Sequence, residues 1–229
     1  MTHNIEVESG KSVKLPTAGK YCDRDIVVAG FGSNPADLQA KYDEGKQAEY
    51  DRFWDILQNH GDPSGVNYYY HFCYGGWTDE NFNPKHPIIC SVGTTPGQAL
   101  FYSNKEITDT KVPIVVLGSS AQSMFATAEK LVTIRKLTVH KDVALTTAFN
   151  GCYALKNITI DGTIGKGSVS FEHSHSLSKE SIESVINALS TTTSGLSVTF
   201  SQQAVNRAFT DEEWATLANT RSNWTINLV

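Results

Sequence analysis

The chain is poor in charge. Of its 229 residues 19% are Asp, Glu, Lys or Arg, and the net charge is −5. A protein that displaces counterions from nucleic acid needs a basic stripe, and none is present, so no nucleic-acid partner is expected. Long hydrophobic runs are also missing. The longest apolar stretches, such as Val112-Pro113-Ile114-Val115-Val116-Leu117, fall far short of the roughly 20 residues that span a bilayer, so no membrane insertion is expected. The opening residues Met1-Thr2-His3-Asn4-Ile5-Glu6-Val7 carry neither a cationic segment nor an apolar one, which predicts synthesis in a cytoplasm without general secretion. Cysteine is sparse. Cys22, Cys73, Cys90 and Cys152 form no Cys-x-x-Cys pair, and their spacing suits reduced, buried thiols better than a zinc ribbon or a disulfide scaffold.

Signatures of catalysis are lacking too. There is no Gly-x-Ser-x-Gly and no His-Glu-x-x-His, and Gly165-Lys166-Gly167-Ser168 has Gly where a P-loop needs Ser or Thr after its Lys. Asp79 and Glu80 are adjacent in a loop, whereas a glycosidase pair faces across a cleft, so they read as turn and cap residues. His71 and Cys73 make a nucleophile and base only if the fold happens to align them. His173 and His175 share one side if extended, and at a threefold axis they offer nitrogens to a transition metal; their Ser-rich surroundings favour a solvated loop. The expectation is therefore no enzyme, no cofactor and no metal site.

What is present is organisation. Residues 1–33 alternate in short period-2 pairs, Ile5/Val7 and Val13/Leu15, with a further strand at Ile26-Val27-Val28, predicting an N-terminal β attachment module. Asn34-Pro35 opens a helix expected from about Pro35 to Leu57 and terminated over residues 58–63. Its narrow apolar stripe suits packing beside copies of itself, so residues 34–61 read as an oligomerising helix. Residues 62–98 form an aromatic-rich connector containing Tyr68, Tyr69, Tyr70 and Trp77.

A repeat follows. Phe101, Phe125 and Phe149 are 24 residues apart, and six residues after each comes Ile107, Leu131 or Leu155. Ile134 and Ile158 keep the same period, with Thr110 in the first unit. One short strand per unit and a period in the twenties are the signature of a leucine-rich solenoid, which occupies residues 99–229 with its cap. Within the cap, Ser178 opens a helix facing inward through Ile182, Val185, Ile186 and Leu189. Leu196–Phe200 is a strand, Thr210-Asp211-Glu212-Glu213 is a capping box, and Trp224–Leu228 is the last strand.

The run Phe149-Asn150-Gly151-Cys152-Tyr153-Ala154-Leu155-Lys156-Asn157-Ile158 resembles the BspA-type leucine-rich repeat of gut Firmicutes and their phages and prophages. Tyr50-Asp51-Arg52-Phe53-Trp54-Asp55 with Gly76-Trp77-Thr78-Asp79-Glu80-Asn81-Phe82 is similar to the middle of the same proteins, and 177–182, 210–213 and 224–225 to their cap. Leu15–Ile26 is similar to a module of phage tail-associated proteins. A weak first unit, where Pro113 interrupts the strand, and a two-residue offset between later strand starts depart from the pattern.

The fold expected is α/β: a short β module, one long helix, then a leucine-rich-repeat solenoid with an αβ cap. The resemblance implies a phage or prophage virion protein of tail, baseplate or fibre, located in the virion after assembly in the bacterial cytoplasm. Its partners are then other virion proteins, further copies of itself (a homotrimer by preference) and a host-surface glycan or protein. The candidate contact residues are Tyr68, Tyr69, Tyr70 and Trp77, whose rings suit sugar stacking or internal packing, and Arg135 and Asn157 on the strand face. A bacterial surface adhesin is the alternative, and a tail-associated hydrolase a further one.

Overall fold

The structure is a computed structural model that describes residues 4–7, 11–14, 48, 51–52, 54–61, 71–73, 77–91 and 97–229. It divides into two units, Met1–Arg52 and Phe53–Val229. In the first unit β1 (Asn4–Val7) and β2 (Lys11–Lys14) form an antiparallel hairpin with Ile5 opposite Val13. The strand expected at Ile26–Val28 lies outside the described residues, as does most of the helix expected over 34–61. Of that helix, residues 48, 51 and 52 are helical here.

The second unit is mixed α/β with parallel sheets. Trp54 and Asp55 are helical and lead into a π-helical turn, Ile56–His60. The helical backbone thus passes Leu57, where the sequence predicted its end, and stops at Gly61, whose φ of 63° suits a residue without a side chain. The segment expected as a connector contributes β3 (Ile88–Cys90), which pairs in parallel with β4 (Ile114–Val116). Then come β5 (Thr133–Val139) and β6 (Asn157–Gly162), completing a four-stranded parallel sheet in chain order. Pro113 does not interrupt its strand: it sits one residue before β4, and its carbonyl accepts the Ile88 amide at 3.0 Å. Between β5 and β6 the pairing runs Ile134 to Ile158 and then Leu137 to Ile160. The two strands therefore start in step, 24 residues apart, in place of the two-residue offset expected, and the one-residue bulge shortens the offset to 23 from Leu137 onward.

A second parallel sheet holds β7 (Val169–Phe171), β8 (Leu196–Phe200) and β9 (Trp224–Leu228). Three helices accompany these strands: α1 (Lys179–Ala188), which packs on β6, α2 (Gln202–Ala208) and α3 (Asp211–Asn219). Ser178 caps α1 by accepting the Ser181 amide, and the inward face is the expected one: Ile182, Val185, Ile186 and Leu189 are buried. The box at Thr210 is complete, with Thr210 Oγ1 accepting the Glu213 amide and the Glu213 carboxylate accepting that of Thr210. Helix α2, by contrast, was not anticipated: its Ser201 cap makes no side-chain bond to the helix, and only Ala204 and Val205 are buried.

The core is built on a column of phenylalanines. Phe72, Phe101, Phe125, Phe149, Phe171 and Phe200 stack with centroids 5.3, 5.6, 5.8, 4.4 and 5.8 Å apart and planes within 27°. Edge-on rings close both ends. Trp77 and Phe82 meet Phe72, and Trp214 meets Phe200 at 88°. An edge-on ring brings its positive rim to the negative face of the last stacked ring, which ends the series favourably.

The backbone around each Phe repeats as well. Ala99, Ser123 and Thr147 have φ of 54–57°, and Ser103, Thr127 and Gly151 have 56°, 58° and 72°. Phe101, Phe125 and Phe149 are each therefore bracketed by two left-handed residues at the 24-residue period. The amides of Ala99, Phe101 and Ser103 donate to Gln122, Met124 and Ala126, and those of Ser123, Phe125 and Thr127 to Thr146, Ala148 and Asn150. A main-chain ladder thus runs beside the column, opposite in kind to the strand ladder yet of the same period.

Two outcomes follow from this core. Phe149→Ala opens a cavity in mid-column and lowers the free energy of unfolding by about 3–5 kcal/mol, read by urea denaturation; a loss below about 1 kcal/mol contradicts the column's role. Thr127 is β-branched at positive φ, and its hydroxyl is buried with no hydrogen-bond partner. Thr127→Gly, the residue its counterpart at 151 already is, relieves both and raises stability by about 1 kcal/mol in the same titration.

Candidate functional site

The solvent side of the four-stranded sheet presents a polar strip whose members pair between neighbouring units. Arg135 grips Asp109 with two nitrogens, Nε to Oδ1 at 3.0 Å and Nη2 to Oδ2 at 2.6 Å. The fork fits a carboxylate, so the guanidinium is held in plane while its side chain stays 56% exposed. Asn157 donates to Thr133 Oγ1 at 3.3 Å, and Lys136 meets Asp161 at 2.7 Å. The Lys136 bond holds the Asp161 carboxyl below its ordinary range. Nearby, Lys130 pairs with Glu106 and Lys105 with Glu129, both at 2.9 Å. Arg135 and Asn157 thus lie together on one exposed face, as strand alternation places them. Thr133 is itself a strand-face polar residue readable from the sequence; Asp109 is not singled out there, although its offset of 26 residues marks it as a neighbour across units.

Trp77 lies elsewhere. It is half-buried, 5.0 Å from Trp54 and 5.2 Å from Phe72, inside the aromatic group that closes the column. Tyr68, Tyr69 and Tyr70 lie outside the described residues. Asn104 fixes this group: its amide donates to the carbonyls of Phe72 at 2.9 Å and Trp77 at 3.2 Å, and its oxygen accepts the amides of Glu106 and Ile107. Asp79 ties the same segment to the repeat that begins at Phe101 by accepting the amide and hydroxyl of Thr108, with Lys111 at 3.9 Å. Partial burial alone raises its carboxyl, but the Thr108 bonds and the Lys111 charge outweigh it and hold the group low.

The two histidines occupy a turn rather than a strand. His173 Nδ1 accepts the Gly151 amide at 3.3 Å, taking the position that the next unit's carbonyl fills for Thr127. Its ring meets the exposed Tyr153 edge-on at 5.3 Å. His175 Nδ1 lies 2.9 Å from Ser201 Oγ, but Ser201 is buried at the start of α2. Between them Ser174 is buried and bonds the Cys152 carbonyl. Among the described residues no group of three or more His, Cys, Asp or Glu is placed to hold a metal ion.

Cys90 and Cys152 are buried, and burial pushes both thiols up, Cys152 to about 12. Cys152 remains protonated and donates to the Phe125 carbonyl at 3.1 Å. Burial holds the His71 imidazole down, at about 4. A groove of about 470 Å³ also lies between α1 and α3, with Phe209 and Leu217 in its wall. Lys179 spans it, 2.8 Å from Glu213 and 4.9 Å from the Phe209 ring.

No protein-family model, curated protein or solved structure matches the chain.

His71 generates a pH dependence. Its folded value of about 4 lies below the ordinary 6.5, so the unfolded chain takes up the proton first and stability falls as pH drops through that window. His71→Gln removes this slope: the wild-type-minus-variant difference in urea midpoint shrinks from pH 6.5 to pH 4. A difference flat across that range contradicts the burial of a neutral imidazole.

Proposed function

We propose that the chain is a non-enzymatic phage virion structural protein, a tail, baseplate or fibre component. Its 24-residue units form a short leucine-rich-repeat solenoid of the BspA type, preceded by a β attachment module and a long oligomerising helix. One observation carries the reading. The 24-residue spacing recurs at once in ring stacking, in left-handed backbone and in amide ladders, as it must where each unit is stable only against its neighbours. The segments that resemble phage and BspA-type proteins follow one another in the corresponding order.

In this reading the solenoid presents the strip around Arg135 and Asn157 to a host-surface glycan or protein, or to another virion protein. A preorganised row of donors and acceptors suits a hydroxyl-rich or amide-rich surface, since little side-chain freedom is lost on contact. Homotrimer is the preferred assembly, because closed cyclic symmetry ends growth without leaving open interfaces.

Immunogold labelling of purified particles tests the proposal. Gold on tail or baseplate at a fixed position supports it. Particles that carry no label, with gold on the envelope of uninfected cells, overturn it in favour of a bacterial adhesin.

A further inference from the structure

The two sheets end differently on their C-terminal sides. The four-stranded sheet ends at β6, and α1 closes that edge with side chains. Ser181 Oγ accepts the Ile158 amide at 2.9 Å and reaches the Lys156 carbonyl at 3.1 Å, while Ser184 Oγ accepts the Ile160 amide at 2.8 Å. Hydroxyls here stand in for a further strand. The three-stranded sheet ends at β9, and among the described residues neither strand nor side chain bonds its outer edge.

That edge also lacks the usual protections. Residues 222–229 contain no charged residue and no proline, and β9 pairs with β8 over five consecutive residues without a bulge. The register fixes which groups face outward. Val229 donates to the Phe200 carbonyl at 3.1 Å and accepts the Gln202 amide at 2.7 Å, so its main-chain groups face inward. Alternation puts those of Asn227 and Thr225 inward too, and those of Leu228, Ile226 and Trp224 outward. The Trp224 amide is taken by the Arg221 carbonyl at 2.9 Å. Ile226 and Leu228 are left with both donor and acceptor directed at open space.

We propose that this edge pairs with β9 of a second copy of the chain, antiparallel and centred on Asn227. Main-chain groups at strand spacing are matched by another strand, and this strand matches itself. Centring on Asn227 sets Ile226 opposite Leu228 of the second copy and satisfies all four outward groups on each strand. Centring on Ile226 instead asks the Leu228 carbonyl to bond a Trp224 amide already engaged. No like charges meet across the seam. Asn227 is exposed and faces its own copy, and Val229, 63% exposed, comes opposite Thr225. This interface is independent of the virion reading and adds a twofold contact to whatever association the N-terminal segment makes.

Sedimentation velocity of the full chain from about 1 to 100 µM tests it. The wild type is expected to double its mass across that range. Asn227→Lys and Asn227→Glu, which place like charges opposite each other, each stay at the lower mass, and their equal mixture regains the doubling. Thermal melts of both variants within a few degrees of wild type show that the fold is intact. No doubling in the wild type, doubling that persists in Asn227→Lys, or a mixture that stays at the lower mass overturns the proposal.

Discussion

The stack of phenylalanine rings is the constraint from which the other regularities follow. A ring 4.4–5.8 Å from its neighbours must arrive at the same height in every unit, while the strand opposite must arrive in hydrogen-bonding register. Two fixed points per unit leave the chain between them little freedom in length. That is why the central phenylalanines keep a strict 24-residue spacing. Where a unit carries extra structure the spacing relaxes and the stack does not. Phe171 and Phe200 are 29 residues apart because α1 is inserted between them, and their rings still lie 5.8 Å apart at 11°.

Main-chain conformation serves the same requirement. The left-handed residues on both sides of Phe101 and Phe125 accompany amides that donate to the following unit, so each of these turns is held by its neighbour and not by itself. Where the neighbour ceases to supply a main-chain donor or acceptor, a side chain replaces it. His173 does so for Gly151, Ser181 and Ser184 do so for β6, and Asn104 does so for the carbonyls of Phe72 and Trp77. Each of these residues looks functional when met in a sequence, and each satisfies a polar group that an ended repeat would leave bare.

This explains which parts of the structure the sequence discloses. Ser178, Thr210 and the inward face of α1 follow local rules of capping and period, and they appear where those rules place them. Phe101, Phe125 and Phe149 declare themselves by their equal spacing. Phe72, Phe171 and Phe200 do not, since the spacing lengthens to 29 residues before Phe101 and after Phe171 and shortens to 22 between Phe149 and Phe171, and the three-residue strands β3 and β7 are too short to show alternation. Helix α2 has only two buried side chains and therefore no stripe to read. At the candidate site, Arg135 and Asn157 are legible as outward strand positions. That the Arg135 guanidinium is fixed by Asp109, and that Trp77 joins Trp54, depends on contacts across 23 or more residues.

Stacking also shapes what the surface can offer. Because their polar partners come from adjacent units, Asp109 with Arg135 and Thr133 with Asn157, these outward groups do not belong to one unit alone. A molecule that meets Arg135 meets Asp109 with it, in a geometry set by the core beneath. Substituting one member of such a pair frees the other and alters two units at once, while the phenylalanines underneath are unaffected. Recognition on this face can therefore change by exchange of paired residues without any change in the stack that holds them.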